Sequence, residues 1–144
     1  MRSNVPALLA LLFIGSGMIP RPVLGAEAID PKAELDRLQT AAASGAIDSQ
    51  LELALAYDKG KLTKRDAAAA AQWYQRAADQ GSGVAELQLG AFAETGDGLP
   101  QDFQAARAHY QKAIALGVPA AKLKLGLMNL EGWGGPGMRA QPFR

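Results

Sequence analysis

The sequence contains no cysteine and a single histidine. Without cysteine there can be no disulfide, no thiolate-ligated zinc, no thiol nucleophile and no lipid on an N-terminal cysteine. Aromatic residues make up 6 % of the chain, and valine and isoleucine are few. Strands favour β-branched and aromatic residues, so this composition disfavours a sheet. No H-E-x-x-H, S-x-x-K or G-x-S-x-G motif is present, and no cluster has metal-ligand spacing, so neither a metal nor another cofactor is expected. No basic stripe of the kind that nucleic-acid binding requires is present either. What is abundant is alanine and leucine, the main part of the 49 % apolar residues. Both keep a helical backbone cheap, so the expected elements are helices.

The first thirty residues differ from the rest. Arg2 precedes an apolar run of 15 residues, Val5–Ile19, which is followed by a proline-containing linker and a stretch of small residues. Charged start, apolar middle and small-residue exit are the order of a secretory signal peptide. The run falls short of the ~20 residues a spanning helix needs, which makes an uncleaved anchor the weaker alternative. Cleavage after Ala26 suits the Gly-Ala ending, and cleavage after Ala28 suits the Ala26-x-Ala28 spacing; Ala26 is preferred. Removal of residues 1–26 takes Arg2 and Arg21, leaving 13 basic against 14 acidic residues. The expected organisation is a signal peptide over 1–26, a repeat domain over 27–132 and a flexible Gly/Pro-rich tail over 133–144. A secreted domain without cysteine suits a bacterial periplasm, where disulfides are permitted but not obligatory. Membrane contact is not expected after cleavage.

Shifted against itself by 36 residues, the sequence repeats. Leu51/Leu87, Leu53/Leu89, Gly60/Gly96, Asp66/Asp102, Tyr74/Tyr110, Ala77/Ala113 and Gly81/Gly117 are identical pairs. The register extends back to Ala41, Ala42 and Gly45, and forward to Leu125, Gly126 and Gly132. Self-similarity at a fixed period of this length is the signature of a stacked solenoid. Within one period, Ala85, Leu89 and Phe92 lie on one stripe of a helix over Gly83–Thr95, and Gly96 ends it in a left-handed cap. The spacing places a second helix after the Gly-Asp-Gly-Leu loop, with Pro100 at its first position and the Asp102 carboxylate in its first turn. Thr63-x-x-Asp66 reads as a capping box at the same place one period earlier. Ala106, Tyr110, Ala113 and Ile114 point inward on that second helix, which ends at Gly117. The expected fold is therefore all-α, a short right-handed α-solenoid of antiparallel helix pairs. About six helices are expected: one unpaired near Pro31–Ser44, two full pairs, and a last helix near Pro119–Glu131.

These residues resemble the SEL-1-like repeats, relatives of the tetratricopeptide repeats. The pattern A-x-x-x-L-G-x-M-Y-x-x-G-x-G-x-x-x-D-x-x-x-A-x-x-W-Y-x-x-A-A-x-x-G is matched or nearly matched at Ala85, Leu89, Gly90, Phe92, Gly96, Gly98, Asp102, Ala106, Tyr110, Ala113 and Gly117. The preceding copy carries Leu53, Tyr57, Gly60, Asp66, Ala70, Trp73, Tyr74, Ala77, Ala78 and Gly81. The third unit supplies Ala121, Leu125, Gly126, Met128, Gly132 and Gly134 and has no second helix. The resemblance implies protein–protein binding by a curved helical scaffold, often in bacterial envelope proteins. One cysteine-rich branch of the family is linked to penicillin binding and β-lactam hydrolysis; this chain lacks those cysteines, so that carry-over fails.

Each candidate site has a plain structural reading beside it. Trp73-Tyr74 could stack a ligand, but its recurrence favours packing between helices. His109 could act as a base, yet it occupies the tryptophan position of its repeat and no nucleophile is arranged with it. Gly132 to Gly137 matches G-x-G-x-x-G, but follows a helix rather than a strand and contains proline, so it is not read as a dinucleotide site. Trp133 is a candidate interface anchor, against simple packing over the final helix. Lys59, Lys61, Lys64 and Arg65 make a small basic cluster around one loop, with a solvated loop as the default. The first helix of each pair should present Glu52, Leu55, Gln88, Ala91, Lys124 and Leu127 on the concave side. Their charge runs from acidic through neutral to basic, which could orient a peptide. The leading expectation is a non-enzymatic scaffold that binds another protein or peptide of the envelope. The alternatives are an enzyme of the cell-wall or β-lactam type and a small stabilising cap in a larger envelope complex.

Overall fold

Glycine punctuates the chain. Gly60, Gly96 and Gly132 each adopt a left-handed φ of 66–77° at a helix C-terminus and return an N–H to the last turn. A residue with a Cβ is strained in that conformation. The structure is a computed structural model that describes residues 28–133. The signal peptide, its junction after Ala26 and the residues beyond Trp133 lie outside the described residues. Six helices follow one another in the unit that starts at Pro31. They are α1 (Pro31–Ala43), α2 (Ile47–Lys59), α3 (Ala67–Asp79), α4 (Gly83–Thr95), α5 (Phe103–Ala115) and α6 (Ala120–Glu131). Short connections make successive helices antiparallel neighbours, and each packs on the next. No strand occurs among the described residues.

The starts of α3 and α5 correct the sequence reading. Asp66 and Asp102 are not first-turn residues; each is the N-cap itself, in extended backbone. The Asp66 carboxylate accepts from the Ala69 N–H at 2.9 Å, and that of Asp102 accepts from Gln104 and Ala105. Thr63 therefore forms no capping box, and Pro100 stays outside the helix. The cause is tertiary. The Asp66 N–H donates to the Tyr57 carbonyl at 2.9 Å and the Asp102 N–H to the Ala93 carbonyl at 2.8 Å. Those bonds tie the loop to the preceding helix and hold each aspartate in extended backbone, so the helix starts only after it.

The core is built on alanine. Ala54, Ala70, Ala77, Ala85, Ala106, Ala113 and Ala121 have no exposed surface. Small side chains there let helix backbones approach closely without leaving voids. Larger groups fill the remaining space. Leu38, Ala42 and Leu53 form one cluster with Tyr57 and Trp73 packed on it. Tyr74, Leu89 and Phe92 centre a second, and Phe103, Tyr110 and Met128 a third. The stripe Ala85, Leu89, Phe92 is buried as its spacing predicts, whereas Ile114 is only half-buried.

Candidate functional site

The first helices of the repeats, α2, α4 and α6, place three equivalent positions in a row. Glu52, Gln88 and Lys124 stand 36 residues apart, as do Leu55, Ala91 and Leu127. Between α2 and α4 lies a depression of about 220 Å³ lined by Leu51, Glu52, Leu55, Tyr74, Val84 and Gln88. Between α4 and α6 lies another of about 400 Å³, lined by Leu87, Gln88, Ala91, Ala120, Leu123 and Lys124. Gln88 borders both, so the two form a continuous lined path. Leu55, Val84 and Leu123 are exposed at 43 %, 49 % and 70 %, which leaves apolar surface open along it. Val84 and Leu123 were missed in the sequence reading. Leu123 had a signal in its periodicity, repeating Leu51 and Leu87 at the same interval; Val84 had none, since Asp48 and Ala120 stand at its equivalent positions. Leu127 is exposed near the α6 end but borders neither depression.

Charge along this path is set by its neighbours. Lys124 Nζ lies 3.9 Å from Glu94, which also accepts a 2.5 Å hydrogen bond from the Tyr110 hydroxyl. At the other end, Arg37 grips Glu34 through two bonds of 2.6 and 2.9 Å, and Glu52 adds to the negative field around that guanidinium.

The other sequence candidates are placed elsewhere. Tyr74 is buried, edge-on to Phe92 at 5.8 Å, and Trp73 packs toward Leu38 with the Arg76 guanidinium 4.3 Å above its ring. Tyr110 is buried with no exposed surface. Gly81 and Gly117 turn the chain after α3 and α5 with φ of 93° and 86°. Trp133 stacks on Phe103 at 4.8 Å and is half-buried against the third cluster. His109 Nδ1 lies 2.6 Å from the buried Glu86 carboxylate, and Lys112 Nζ lies 3.8 Å from its other oxygen. The basic loop is less free than its sequence suggests. Arg65 is tied to Asp97 of the next loop and donates to the Asp58 carbonyl at 2.8 Å, while Lys59 lies 2.8 Å from the Asp58 carboxylate. Gly132 caps α6; Gly134 to Gly137 lie outside the described residues. Among the described residues no three acids or histidines could hold a metal ion together, and no helix is long and apolar enough to cross a membrane.

Comparison with known proteins gives a consistent result. The profile of the Sel1 repeat matches residues 47–82, 83–118 and 119–137. A protective antigen of uropathogenic Escherichia coli strains, whose crystal structure displays an SLR fold, superposes with a TM-score of 0.66 at 42 % identity over 69 % of this chain. The chain spans 21 % of that antigen. A Sel1 repeat protein from Oxalobacter formigenes gives a TM-score of 0.61 at 30 % identity, covering 70 % of this chain and 76 % of its own. Cysteine rich protein B of Helicobacter pylori gives 0.62 at 26 % identity, covering 67 % and 72 %. Comparison with curated proteins gives no significant match.

Proposed function

This chain belongs to the Sel1 repeat family, whose members typically mediate protein–protein interaction, and on that premise we propose that it binds a segment of another protein along the α2–α4–α6 face. The observation that carries this is the lined path itself. One repeat position supplies Glu52, Gln88 and Lys124 in succession, flanked by the exposed side chains of Leu55, Val84 and Leu123. Open apolar surface of this kind, rimmed by polar groups, is what a protein partner covers. The ordered change of charge gives that partner a direction: its basic end beside Glu52 and its acidic end beside Lys124. No bond chemistry is involved. Residues 1–26 act as a signal peptide, so the partner is an envelope protein in a bacterial periplasm.

A photo-crosslinking residue at Gln88, tested in cells against the same residue at the exposed Gln104 of α5, examines the groove. A discrete adduct is expected from position 88, absent from position 104 and lost on Leu55→Glu. Equal adducts from both positions would sink the proposal. Fusion of residues 1–28 to a reporter tests the compartment, and a reporter retained in the cytoplasm refutes it.

A further inference from the structure

Helix α6 presents a face that the chain builds twice elsewhere and covers both times. In the second repeat, Glu86, Leu87, Gly90, Ala93 and Glu94 of α4 face α5. A Cβ added at Gly90 would stand 2.5 Å from the Tyr110 ring, so this glycine is a socket for that ring. In the first repeat the equivalent residues are Gln50, Leu51, Ala54, Tyr57 and Asp58, all buried or half-buried. In the third they are Lys122, Leu123, Gly126, Asn129 and Leu130. All five are exposed, Leu123 at 70 % and Leu130 at 86 %, and a Cβ at Gly126 would meet nothing within 4 Å. Glycine disfavours an exposed helix relative to alanine, so an empty socket weakens α6 for no gain to the free chain.

We propose that this end face docks an amphipathic helix of another protein, which completes the third repeat. Two substitutions define its chemistry. Glu94 accepts the Tyr110 hydroxyl, and Leu130 replaces it, so the ring entering the Gly126 socket carries no hydroxyl: it is a phenylalanine. Glu86 faces the cationic side of α5, His109 and Lys112, and Lys122 replaces it with the opposite sign. The docking helix therefore carries an acidic residue one position before or two positions after its phenylalanine, with small residues four before and three after. Charge complementarity and continuity with the α4–α5 interface both select this occupant. The opposite end of the stack discourages a second copy of the chain in that role. There α1 places Glu34, clamped by Arg37, where the later repeats have the fully buried Ala70 and Ala106.

The probe is a labelled synthetic peptide of residues 102–116 carrying His109→Gln, Tyr110→Phe and Lys112→Glu, titrated into the full chain by fluorescence anisotropy. It is expected to bind about tenfold more tightly than the unaltered peptide, and Lys122→Glu in the protein is expected to reverse that order. Gly126→Gln fills the socket with a good helix former. It should abolish binding of the probe while the melting temperature of the free chain stays level or rises. Leu55→Glu, which alters the α2–α4–α6 groove, should leave peptide binding unchanged, so this inference stands or falls apart from that one. Absence of binding, indifference to the sign at position 122, or undiminished binding by Gly126→Gln overturns the proposal. So does a peptide-free dimer in sedimentation velocity that Gly126→Gln turns monomeric, since a second copy then fills the socket. A marked gain in affinity on removing residues 134–144 assigns the face to the chain's own C-terminal residues and overturns it equally.

Discussion

At the scale of single residues, the two repeat tyrosines differ in what they do for stability. Burial, joined by the nearby Asp58, pushes the Tyr74 hydroxyl up to about 12. Tyr110 is raised as well, by burial first and then by its hydrogen bond to Glu94. A phenol raised in the folded state holds its proton longer there than in the unfolded chain. The stability it contributes is complete below the unfolded value near 10 and is lost as pH climbs through the folded one. Urea midpoints should therefore fall steadily above about pH 10. Tyr110→Phe deletes a hydrogen bond to a charged acceptor and should cost roughly 1–2 kcal/mol at pH 7. It should also flatten the alkaline decline, because one of the two raised groups is gone. A mutant curve running parallel to the parent above pH 10 would show that Tyr110 contributes nothing to that decline.

At the scale of helices, sequence patterns located the interiors and the starts of α1, α4 and α6 well, and the starts of α3 and α5 poorly. The α4 stripe of Ala85, Leu89 and Phe92 and the Gly96 stop were legible because period and cap are local properties. The starts of α3 and α5 were not, because the loop backbone before each aspartate is bonded to the helix that precedes it. This distinction can be measured. Asp102→Ala removes the acceptor for two orphan N–H groups and should cost about 1–2 kcal/mol in urea unfolding. Thr63→Ala, predicted to matter if the capping box existed, should change stability by less than ~0.5 kcal/mol. Equal losses from the two would restore the capping-box reading.

At the scale of the whole repeat unit, each core cluster draws on at least three helices, so no pair can hold its apolar stripe alone. The two ends contribute on one side only. Amide hydrogen exchange should therefore be slowest in α3 and α4 and fastest in α1 and α6, within a single cooperative urea transition. Protection that is uniform from α1 to α6 would contradict this nearest-neighbour picture. The Arg65 link to Asp97 and the Lys124 approach to Glu94 join adjacent repeats at the surface, where ion pairs add little beyond orientation.

The amino-acid sequence by itself determined the period, the helix class and the alanine-lined spacing, because all three follow from local propensity and a recurring register. It also carried the row Glu52, Gln88, Lys124, since equivalent positions in a repeat come to lie side by side. Tertiary structure decided what those positions face. Only packing made Gly90 a socket filled by Tyr110, turned Arg65 from a loop cation into a tie between repeats, seated Trp133 on Phe103 and left Gly126 open. A side chain's neighbours across the stack depend on how close two backbones come, and that distance is set by the joint fit of several helices rather than by any one segment.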